Sequence, residues 1–591
     1  MSLKLSKKIK MKVKKRLVCA TAILAVLVLF FACANVGLYK QNTNIFTITN
    51  QELAAKNDIE VIKDSTGINL HIIANGDTGI NTIEVYQDTT SIKYYTYSGS
   101  DEKIEERFKI YIPFGQTHQI TMMVNGETVA QKNVENVRYI YSADDLVKFR
   151  DKVNAGDAFT GKYVELMDNI DLKDTCSATI GSWTPIGSDT FPFEGNFNGN
   201  YHTIDNLYIN RSDYQYLGLF SRTNGNVLNL LMKNANVTSN YPVYTLTSYT
   251  GAIAGESNGN FFNCGIYSGR IAAKSTVGSG NNGTWKFLEV GGLVGIARNN
   301  LCNCFNRANV VAENMVTNQT YQGGANAGGI SGCTGGTAAM WNCYNTGTIY
   351  AWGRYAYRGG ISGTASTTNS AFPISIKNCY SIGALQGSGN AENYPAAISP
   401  RIGDWNGVTY TSITNCYFGS SSASYSYYRG RTGYNTGRVA DETIKGYANT
   451  LEAASWVSDT YGLNNGYPIL RWQVPQLELD KKQEYIKVGE QINLTINDSK
   501  MGGMTPGTIT WESDNSNIAT VDSNGTVTAI KEGVTTIYAT ESTYGICAMM
   551  IINVSKAEAT AISQIASGGY DTTTHFSIIL KEDGTVWRSR R

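Results

Sequence analysis

Residues 291–304 read Gly291-Gly-Leu-Val-Gly-Ile-Ala-Arg-Asn-Asn-Leu-Cys-Asn-Cys304, in which a small-residue apolar segment leads to an Asn-Cys dipeptide. The dipeptide recurs at spacings of 40, 39, 36 and 37 residues, and each copy follows a similar apolar segment. The five copies are Asn263-Cys264, Asn303-Cys304, Asn342-Cys343, Asn378-Cys379 and Asn415-Cys416. Short strands between Gly and Asn turns, with no helical pattern among them, predict the stacked coils of a parallel β-solenoid.

The composition of the chain favours strands throughout its 591 residues. Gly occurs 60 times and Tyr 37 times, whereas charged residues make up only 16%, and this bias is typical of turns and strands rather than helices. We therefore predict an all-β protein of several domains, because the length suits about three to five of them. The net charge of +1 indicates neither a strongly acidic nor a strongly basic partner for the chain as a whole.

The repeats resemble the GLUG repeat family, which occurs in bacterial surface adhesins and in non-catalytic regions of some IgA-cleaving peptidases. The likeness extends upstream to Trp183-Thr-Pro-Ile-Gly187 and residues 193–209, and residues 456–472 resemble the closing piece of such domains. It implies a right-handed parallel β-helix over residues 139–474. A capping box at Ser142-Ala-Asp-Asp145 predicts a helix at residues 143–154, which would cover strand edges that otherwise recruit other chains.

One predicted column of the solenoid consists of five cysteines: Cys264, Cys304, Cys343, Cys379 and Cys416. We favour buried free thiols, because Cys packs as a small hydrophobic residue. Inter-coil disulfides stay open as an alternative, since coils stacked about 4.8 Å apart fall within the Cα separation that a disulfide spans. A metal site is disfavoured because no His lies between positions 203 and 574, and no cofactor is expected.

Catalysis is not expected in this chain, although parallel β-helices host many polysaccharide lyases and hydrolases. Glycoside cleavage needs two carboxylates about 5–10 Å apart, and the acids of residues 214–440 lie at least 12 positions apart in sequence. These acids are Glu256, Glu289, Glu313, Glu392 and Asp404. With four His in the chain and no His-Glu-x-x-His motif, histidine-dependent catalysis and zinc peptidase chemistry are disfavoured as well.

A basic and aromatic surface is predicted on the central coils. Residues 214–440 carry fourteen Lys or Arg against five acids, so the net charge of this stretch is +9. The candidate ligand-binding residues are Trp352, Arg354, Tyr355, Tyr357, Arg358, Tyr425, Tyr427, Tyr428, Arg429 and Arg431. Aromatic faces beside guanidinium groups suit sugars and acidic glycans, with simple decoration of β-turns as the alternative. Nucleic acid is disfavoured, because no recognition motif for it is present.

Two sandwich modules are predicted on either side of the solenoid. Residues 48–135 alternate apolar and polar positions between Asn-Gly and Ser-Gly turns, which is typical of a small β-sandwich. Residues 477–554 include Trp511-Glu-Ser-Asp-Asn and an Asn524-Gly525 hairpin turn, and they resemble the group 2 bacterial immunoglobulin-like domain. That resemblance implies a spacer of surface adhesins without catalytic residues.

The two ends of the chain are predicted to be an export signal and an incomplete repeat. Residues 1–16 hold eight Lys or Arg and no acid, and residues 17–34 are apolar up to Ala32-Cys-Ala34, as in a signal peptide. A retained membrane anchor and lipidation of Cys33 stay open. Residues 562–591 resemble the first unit of a regulator-of-chromosome-condensation-type β-propeller, and we expect the natural protein to continue beyond Arg591.

The combined expectation is an adhesin-like binding protein at the cell surface or secreted. Its expected partner is an extracellular polysaccharide or a host surface component, recognised on the lateral face of the β-helix. Two alternatives remain, namely a polysaccharide-degrading β-helix enzyme and a purely structural envelope or stalk component.

Overall fold

The computed structural model describes residues 57–590 except for 65–66, 77–78, 101–102, 243–245, 277–285, 316–322, 366–372, 403–410, 420–433, 482, 499–500, 502–505, 544–545, 556–563, 569–575 and 581–585. The predicted signal or anchor at residues 1–34 lies outside the described residues. Strands dominate the described part, which confirms the all-β class with a parallel solenoid and a C-terminal sandwich. The chain divides into two compact units: residues up to Ile110 with His118–Val134, and Tyr111–Thr117 with residues from Glu135 onwards.

The first unit contains two sheets. One sheet has the strand order Asp58–Asp64, Gly67–Asn75 and Lys103–Ile110, and the other has the order Thr90–Thr96, Thr82–Gln87, Thr117–Val124 and Glu127–Glu135. The side chains of Ile68, Leu70 and Ile72 alternate along one strand and are fully buried. Alternate burial along a strand is what places one face of a sheet on an apolar core.

Three sheets form the walls of the solenoid in the second unit. The long sheet contains Tyr139–Ile140, Tyr163–Leu166, Ile170–Asp171, Asn196–Asn198, Thr203–Asp205, Val227–Leu228, Leu231–Lys233, Phe261–Phe262, Gly265–Ile266, Leu301–Cys302, Phe305–Asn306, Ala339–Trp341, Tyr344–Asn345, Ile374–Lys377, Tyr380–Ser381, Thr411–Gly419 and Tyr434–Val439. The second sheet contains Tyr208–Arg211, Tyr216–Leu217, Ala235–Ser239, Ser248–Thr250, Gly269–Ser275, Lys286–Gly291, Asn309–Asn314, Gly323–Gly328, Ile349–Gly359, Leu385–Gln386 and Gly389–Ala396. The third contains Phe220–Thr223, Ala254–Ser257, Val294–Ala297, Ser331–Thr334 and Ser362–Ala365.

Equivalent residues of successive coils stack in register along the long sheet. One inward column, buried throughout, consists of Val227, Phe261, Leu301, Met340, Ile376 and Ile413. All of these pairs are parallel, so each coil repeats the side-chain pattern of the coil before it. Stacking of repeats buries one continuous core that no single coil could bury alone.

The paired glycines of the repeats are required by the close approach of neighbouring coils. A Cβ atom on Gly292 would lie 2.1 Å from the carbonyl oxygen of Gly329, and one on Gly329 would lie 2.1 Å from that of Gly360. These distances leave no room for a side chain, because the clash is with backbone that cannot move independently. The Gly-Gly pairs therefore mark a corner where consecutive coils approach closely.

The predicted helix is present as Ala143–Asn154, with Ser142 as the N-cap. The hydroxyl oxygen of Ser142 accepts a hydrogen bond from the backbone N–H of Asp145 at 3.2 Å. The ring centroid of Phe149 lies 5.1 to 5.9 Å from those of three aromatic residues of the first coils, Phe159, Phe193 and Phe197. The helix thus covers the apolar core of the first coils with its buried face, which also includes Leu146 and Val153.

A segment that we call the strap, residues 441–473, lies along the outer face of the long sheet. It contains the helices Asp441–Ile444 and Ala448–Glu452, the strands Trp456–Val457 and Ile469–Leu470, and a final turn at Arg471–Gln473. Its apolar side chains pack on an aromatic column of the coils, Phe305, Tyr344 and Tyr380. Neighbouring rings in this column have centroids 5.2 Å apart, at interplanar angles of 10° and 1°.

A sandwich follows the strap, and its strands are Glu478–Leu479, Gln483–Lys487, Gln491–Asn493, Ile496–Asn497, Ile509–Ser513, Ala519–Val521, Thr526–Ala529, Gly533–Glu541 and Cys547–Ser555. Its core includes Val527, Ala529, Ile537 and Ala539, which are among the residues that the sequence places inside. The last described strands are Gln564–Gly568, Phe576–Leu580 and Val586–Arg590, in one antiparallel sheet. The propeller-type assignment of this tail stays a prediction.

Candidate functional site

The five cysteines of the repeats form an inward column of buried free thiols. Each sulfur lies near two backbone oxygens, one of them two residues earlier in the chain and the other in the preceding coil. For Cys343, these are the oxygens of Trp341 and Leu301, both at 3.4 Å. Burial raises the pKa of the Cys343 thiol well above its ordinary value, so the thiol stays protonated and can donate a weak hydrogen bond. The column is therefore a packing element of the fold.

The Asn that precedes each of these cysteines has a structural role of its own. Asn263, Asn303, Asn342, Asn378 and Asn415 adopt positive φ angles between 51° and 55°, a conformation that Asn tolerates better than most residues. The side-chain amide of Asn303 donates to Asn263 at 3.2 Å, and that of Asn342 donates to Asn303 at 3.1 Å. We call these stacked amides the Asn column; Asn229 and Asn198 extend it into earlier coils.

Asn229 offers a direct test of the Asn column. Its amide donates to Asn198 at 3.0 Å and accepts from Asn263 at 2.9 Å, and its φ angle is +51°. We expect Asn229→Gly to lower the free energy of unfolding by about 1–2 kcal/mol through the lost hydrogen bonds. Asn229→Ala should cost roughly 1 kcal/mol more, because Ala also strains the positive φ angle. Equal urea midpoints for the two variants would show that backbone conformation contributes nothing at this position.

Two candidate ligand-binding residues are not displayed on the surface. Arg358 is 2% exposed and in register with the inward-facing Ala327, and its guanidinium donates to the Gly387 carbonyl oxygen and to the Asn393 side chain. Burial lowers the pKa of Arg358 to about 10. Tyr357 is 4% exposed and stacks on Tyr394, with ring centroids 4.8 Å apart. The expectation that both side chains face a ligand is corrected: they pack inside the solenoid wall.

The strand Ile349–Gly359 explains this correction, because it turns a corner of the solenoid. Its first half pairs with Asn309–Asn314 and its second half with Gly323–Gly328. In the preceding coil, ten residues separate Glu313 from Gly324. Their register partners in this strand are Trp352 and Tyr355, and only Gly353 and Arg354 separate these two. The alternation of buried and exposed side chains is therefore interrupted at the corner, and the second half of the strand does not continue the pattern of the first half.

Three candidates remain half-exposed at this corner: Trp352, Arg354 and Tyr355. The guanidinium carbon of Arg354 lies 5.7 Å from the ring centroid of Tyr355, within cation–π distance. The structure therefore brings an aromatic ring and a cation together at one corner of one coil, and Trp352 lies two residues before Arg354 in the same strand. The second candidate cluster, Tyr425, Tyr427, Tyr428, Arg429 and Arg431, lies outside the described residues.

Part of the positive charge of the central coils is paired with carboxylates. Glu256 is 1% exposed and lies between Arg222 and Arg298 of the adjacent coils, with nitrogen–oxygen distances of 2.5 Å to both. Lys274 pairs with Glu313 at 2.8 Å. The charge of +9 counted from sequence therefore overstates the free positive charge on these coils, because stacking places acids against bases.

Glu289 is the buried acid for which sequence reasoning gave no role. It is 6% exposed, and one of its carboxylate oxygens accepts from the Asn326 amide at 2.8 Å. The other oxygen is buried without a hydrogen-bond partner among the described residues. Burial raises the pKa of this carboxyl to about 8, because an ionised group loses its hydration there. Glu289 is therefore largely protonated at neutral pH.

No group of three or more His, Cys, Asp and Glu side chains suited to hold a metal ion occurs among the described residues. The described helices are all too short or too polar to cross a membrane.

The geometry defines a β-solenoid protein with an immunoglobulin-like module, and comparisons with known proteins agree at the level of modules. Residues 473–545 match the bacterial Ig-like domain (group 2). A region of 160 residues is 30% identical to a protein of Evansella cellulosilytica described as a Gly-rich membrane protein, and it covers 27% of this chain and 17% of that protein. A region of 164 residues is 33% identical to halomucin of Haloquadratum walsbyi. This match covers 26% of this chain and 2% of that protein. The chain thus spans a small part of each relative. The GLUG and propeller-type resemblances stay predictions.

Proposed function

We propose that this chain is a non-catalytic, surface-associated or secreted binding protein of the adhesin type, which recognises an extracellular polysaccharide or a host surface component. The observation that carries the proposal is the corner formed by Trp352, Arg354 and Tyr355, where aromatic faces and a guanidinium group remain half-exposed on a rigid coil stack. Such a surface stacks on sugar rings and pairs with their acidic groups.

The neighbouring modules support a role outside the cytoplasm. The immunoglobulin-like domain suits a spacer, and one relative is described as a membrane protein. In this proposal, the basic and apolar N-terminal residues 1–34 export or tether the chain, and the solenoid presents its corner away from the cell. A purely structural stalk would need the same rigidity but no ligand.

The test is a glycan array probed with the whole chain and with a triple variant, Trp352→Ala, Arg354→Gln and Tyr355→Ala. We expect salt-sensitive retention on acidic glycans and a loss of roughly tenfold or more in the triple variant, because one aromatic pair and one charged contact are removed. The matched control is Trp341→Ala with Lys377→Gln, an exposed aromatic residue and an exposed cation that are in register on the long sheet, and this variant should bind as the wild type does. Retention by no glycan would refute the proposal and favour the stalk.

Polysaccharide cleavage is the second candidate function, and Glu289 is the observation that favours it. A carboxyl whose pKa is raised to about 8 can act as a general acid at neutral pH. Glu256 belongs to the preceding coil and is paired with two arginines. Release of reducing ends from a polysaccharide by the wild type, abolished by Glu289→Gln, would establish an enzyme and overturn the non-catalytic proposal.

A further inference from the structure

A cavity of about 430 Å³ lies where the strap meets the Asn column. Its walls include Tyr201, Asn263 and Asn303 from the coils and Ser455, Arg471 and Trp472 from the strap. This volume falls within the range of about 300–1,000 Å³ that is usual for small-ligand sites. None of the candidate ligand-binding residues from the sequence lies in its walls.

Two aromatic rings form the apolar part of the cavity. The centroids of Tyr201 and Trp472 are 5.6 Å apart, and both side chains are half-buried. Trp472 is fixed in place because its indole N–H donates to the Asn303 carbonyl oxygen at 3.1 Å, and its ring packs on Phe305 at 5.9 Å. A fixed aromatic wall loses little entropy when a flat, apolar ligand face stacks on it.

The polar groups of the cavity keep unused hydrogen-bonding capacity. The Asn303 amide nitrogen donates one hydrogen to Asn263 at 3.2 Å and has a second hydrogen to offer. The Tyr201 hydroxyl accepts from Asn263 at 3.3 Å, which leaves its own hydrogen for another acceptor. An amide and a hydroxyl beside aromatic rings match the alternating C–H faces and hydroxyl groups of a sugar.

Arg471 supplies the charge of the cavity. Its guanidinium donates to the carbonyl oxygens of Ala454 at 3.0 Å and Ala453 at 2.5 Å. Within the described part of the chain, no carboxylate lies within 4.0 Å of this guanidinium. A half-satisfied, exposed guanidinium favours an anionic ligand, and a carboxylate is the group that its planar fork fits.

We propose that this cavity binds a uronate residue of an acidic polysaccharide, with the sugar ring on Tyr201 and Trp472 and its carboxylate on Arg471. The inference rests on the proposed binding function and deepens it, because it names the sugar class and a site distinct from the Trp352 corner. The ring hydroxyl groups bind the Asn303 amide and the Tyr201 hydroxyl.

The test is calorimetric or NMR titration of the whole chain with glucuronate and with glucose, which differ only in the carboxylate at C6. We expect millimolar binding of glucuronate, and at least tenfold weaker binding of glucose, because a charge-assisted hydrogen bond is lost. Arg471→Gln should remove this preference, and Tyr201→Phe should weaken glucuronate binding severalfold without disturbing the fold. Arg438→Gln, an exposed arginine elsewhere on the solenoid, is the matched control and should change neither titration.

The outcomes of these experiments distinguish a failure of the uronate site from a failure of the proposed binding function. No saturation by glucuronate, or equal affinity for both sugars that Arg471→Gln leaves unchanged, overturns the uronate site. Glycan retention that depends on the Trp352 corner but not on Tyr201 or Arg471 also overturns it, while the adhesin proposal stands. Glucuronate binding without retention on any array leaves the cavity as a sugar site and refutes only the adhesin function.

Discussion

Trp456→Ala is expected to lower the free energy of unfolding by about 3–5 kcal/mol, the usual cost of removing a large aromatic side chain from a packed site. Trp456 is 1% exposed, and its ring lies 5.4 Å from that of Tyr380 and 6.0 Å from that of Tyr344. It is therefore the central apolar contact between the strap and the coils.

The loss of unfolding free energy in Trp456→Ala should exceed the cost of removing the ring alone, because polar contacts between the strap and the coils depend on the same packing. The Tyr344 hydroxyl accepts from Arg307 at 2.9 Å and from Gln473 of the strap at 3.0 Å, and the Tyr380 hydroxyl donates to the Pro468 carbonyl oxygen at 2.7 Å. When the strap detaches, these buried groups lose their partners, and an unsatisfied buried group costs about 1–3 kcal/mol.

Urea unfolding and limited trypsin digestion measure this effect together. The expected result for Trp456→Ala is a lower urea midpoint and faster cleavage after Lys445 and Arg471, since only a detached strap lets the backbone at these residues enter the protease. Trp341→Ala removes the same side chain from a site that is 37% exposed, and it should change stability by no more than about 0.5 kcal/mol. Similar digestion rates for the two variants would show that the strap is not held by its aromatic contacts.

Replacement of Glu289 by Gln is expected to stabilise the protein increasingly as the pH rises. The pKa of Glu289 is about 8 in the folded chain against an ordinary value of 4.5, so the folded chain retains this proton at higher pH than the unfolded chain does. Stability from this group is fully present below the unfolded pKa and is lost as the pH rises through about 8. Each pH unit between these values costs ~1.4 kcal/mol, or on the order of 5 kcal/mol over the whole interval.

The Gln side chain has the shape of the protonated acid and cannot ionise, so Glu289→Gln should flatten this part of the pH profile. Its amide can still accept from Asn326 through the oxygen that now accepts at 2.8 Å. The measurement is the urea midpoint of both proteins between about pH 5 and pH 8. Glu313→Gln is the control, because that carboxylate is ion-paired with Lys274. Parallel profiles for wild type and Glu289→Gln would contradict the raised pKa.

The coils could be predicted from sequence because their determinants are local and repeated. Spacing of the Asn-Cys dipeptides defined the coil length, and the capping box at Ser142 defined the helix. The structural role of Asn303 and its equivalents was not inferred, although their recurrence before every Cys was a usable signal. Asn is one of few residues that tolerate a positive φ angle, so an Asn in register at every turn indicates a stacked amide column.

The binding residues were harder to predict, because corners interrupt the alternation of a strand. Trp352 and Tyr357 lie in one continuous strand, yet the two halves of that strand pair with different strands of the preceding coil, on either side of a corner at Gly353 and Arg354. The cavity beside Trp472 could not be found from sequence at all. Tyr201 and Arg471 are 270 positions apart, and only the return of the strap along the coils brings them together.

The strap also has a mechanical consequence. Tyr447 packs on Tyr417 of a late coil at 4.7 Å, whereas Trp472 packs on Tyr201 of an early coil at 5.6 Å. The end of the strap also reaches coils between these two, because Trp472 donates to the Asn303 carbonyl oxygen and Gln473 donates to the Tyr344 hydroxyl. A force that pulls on the C-terminal end of the strap is therefore shared among several coils, including the coil that carries the Trp352 corner, and the strap opposes the peeling of one coil from the next.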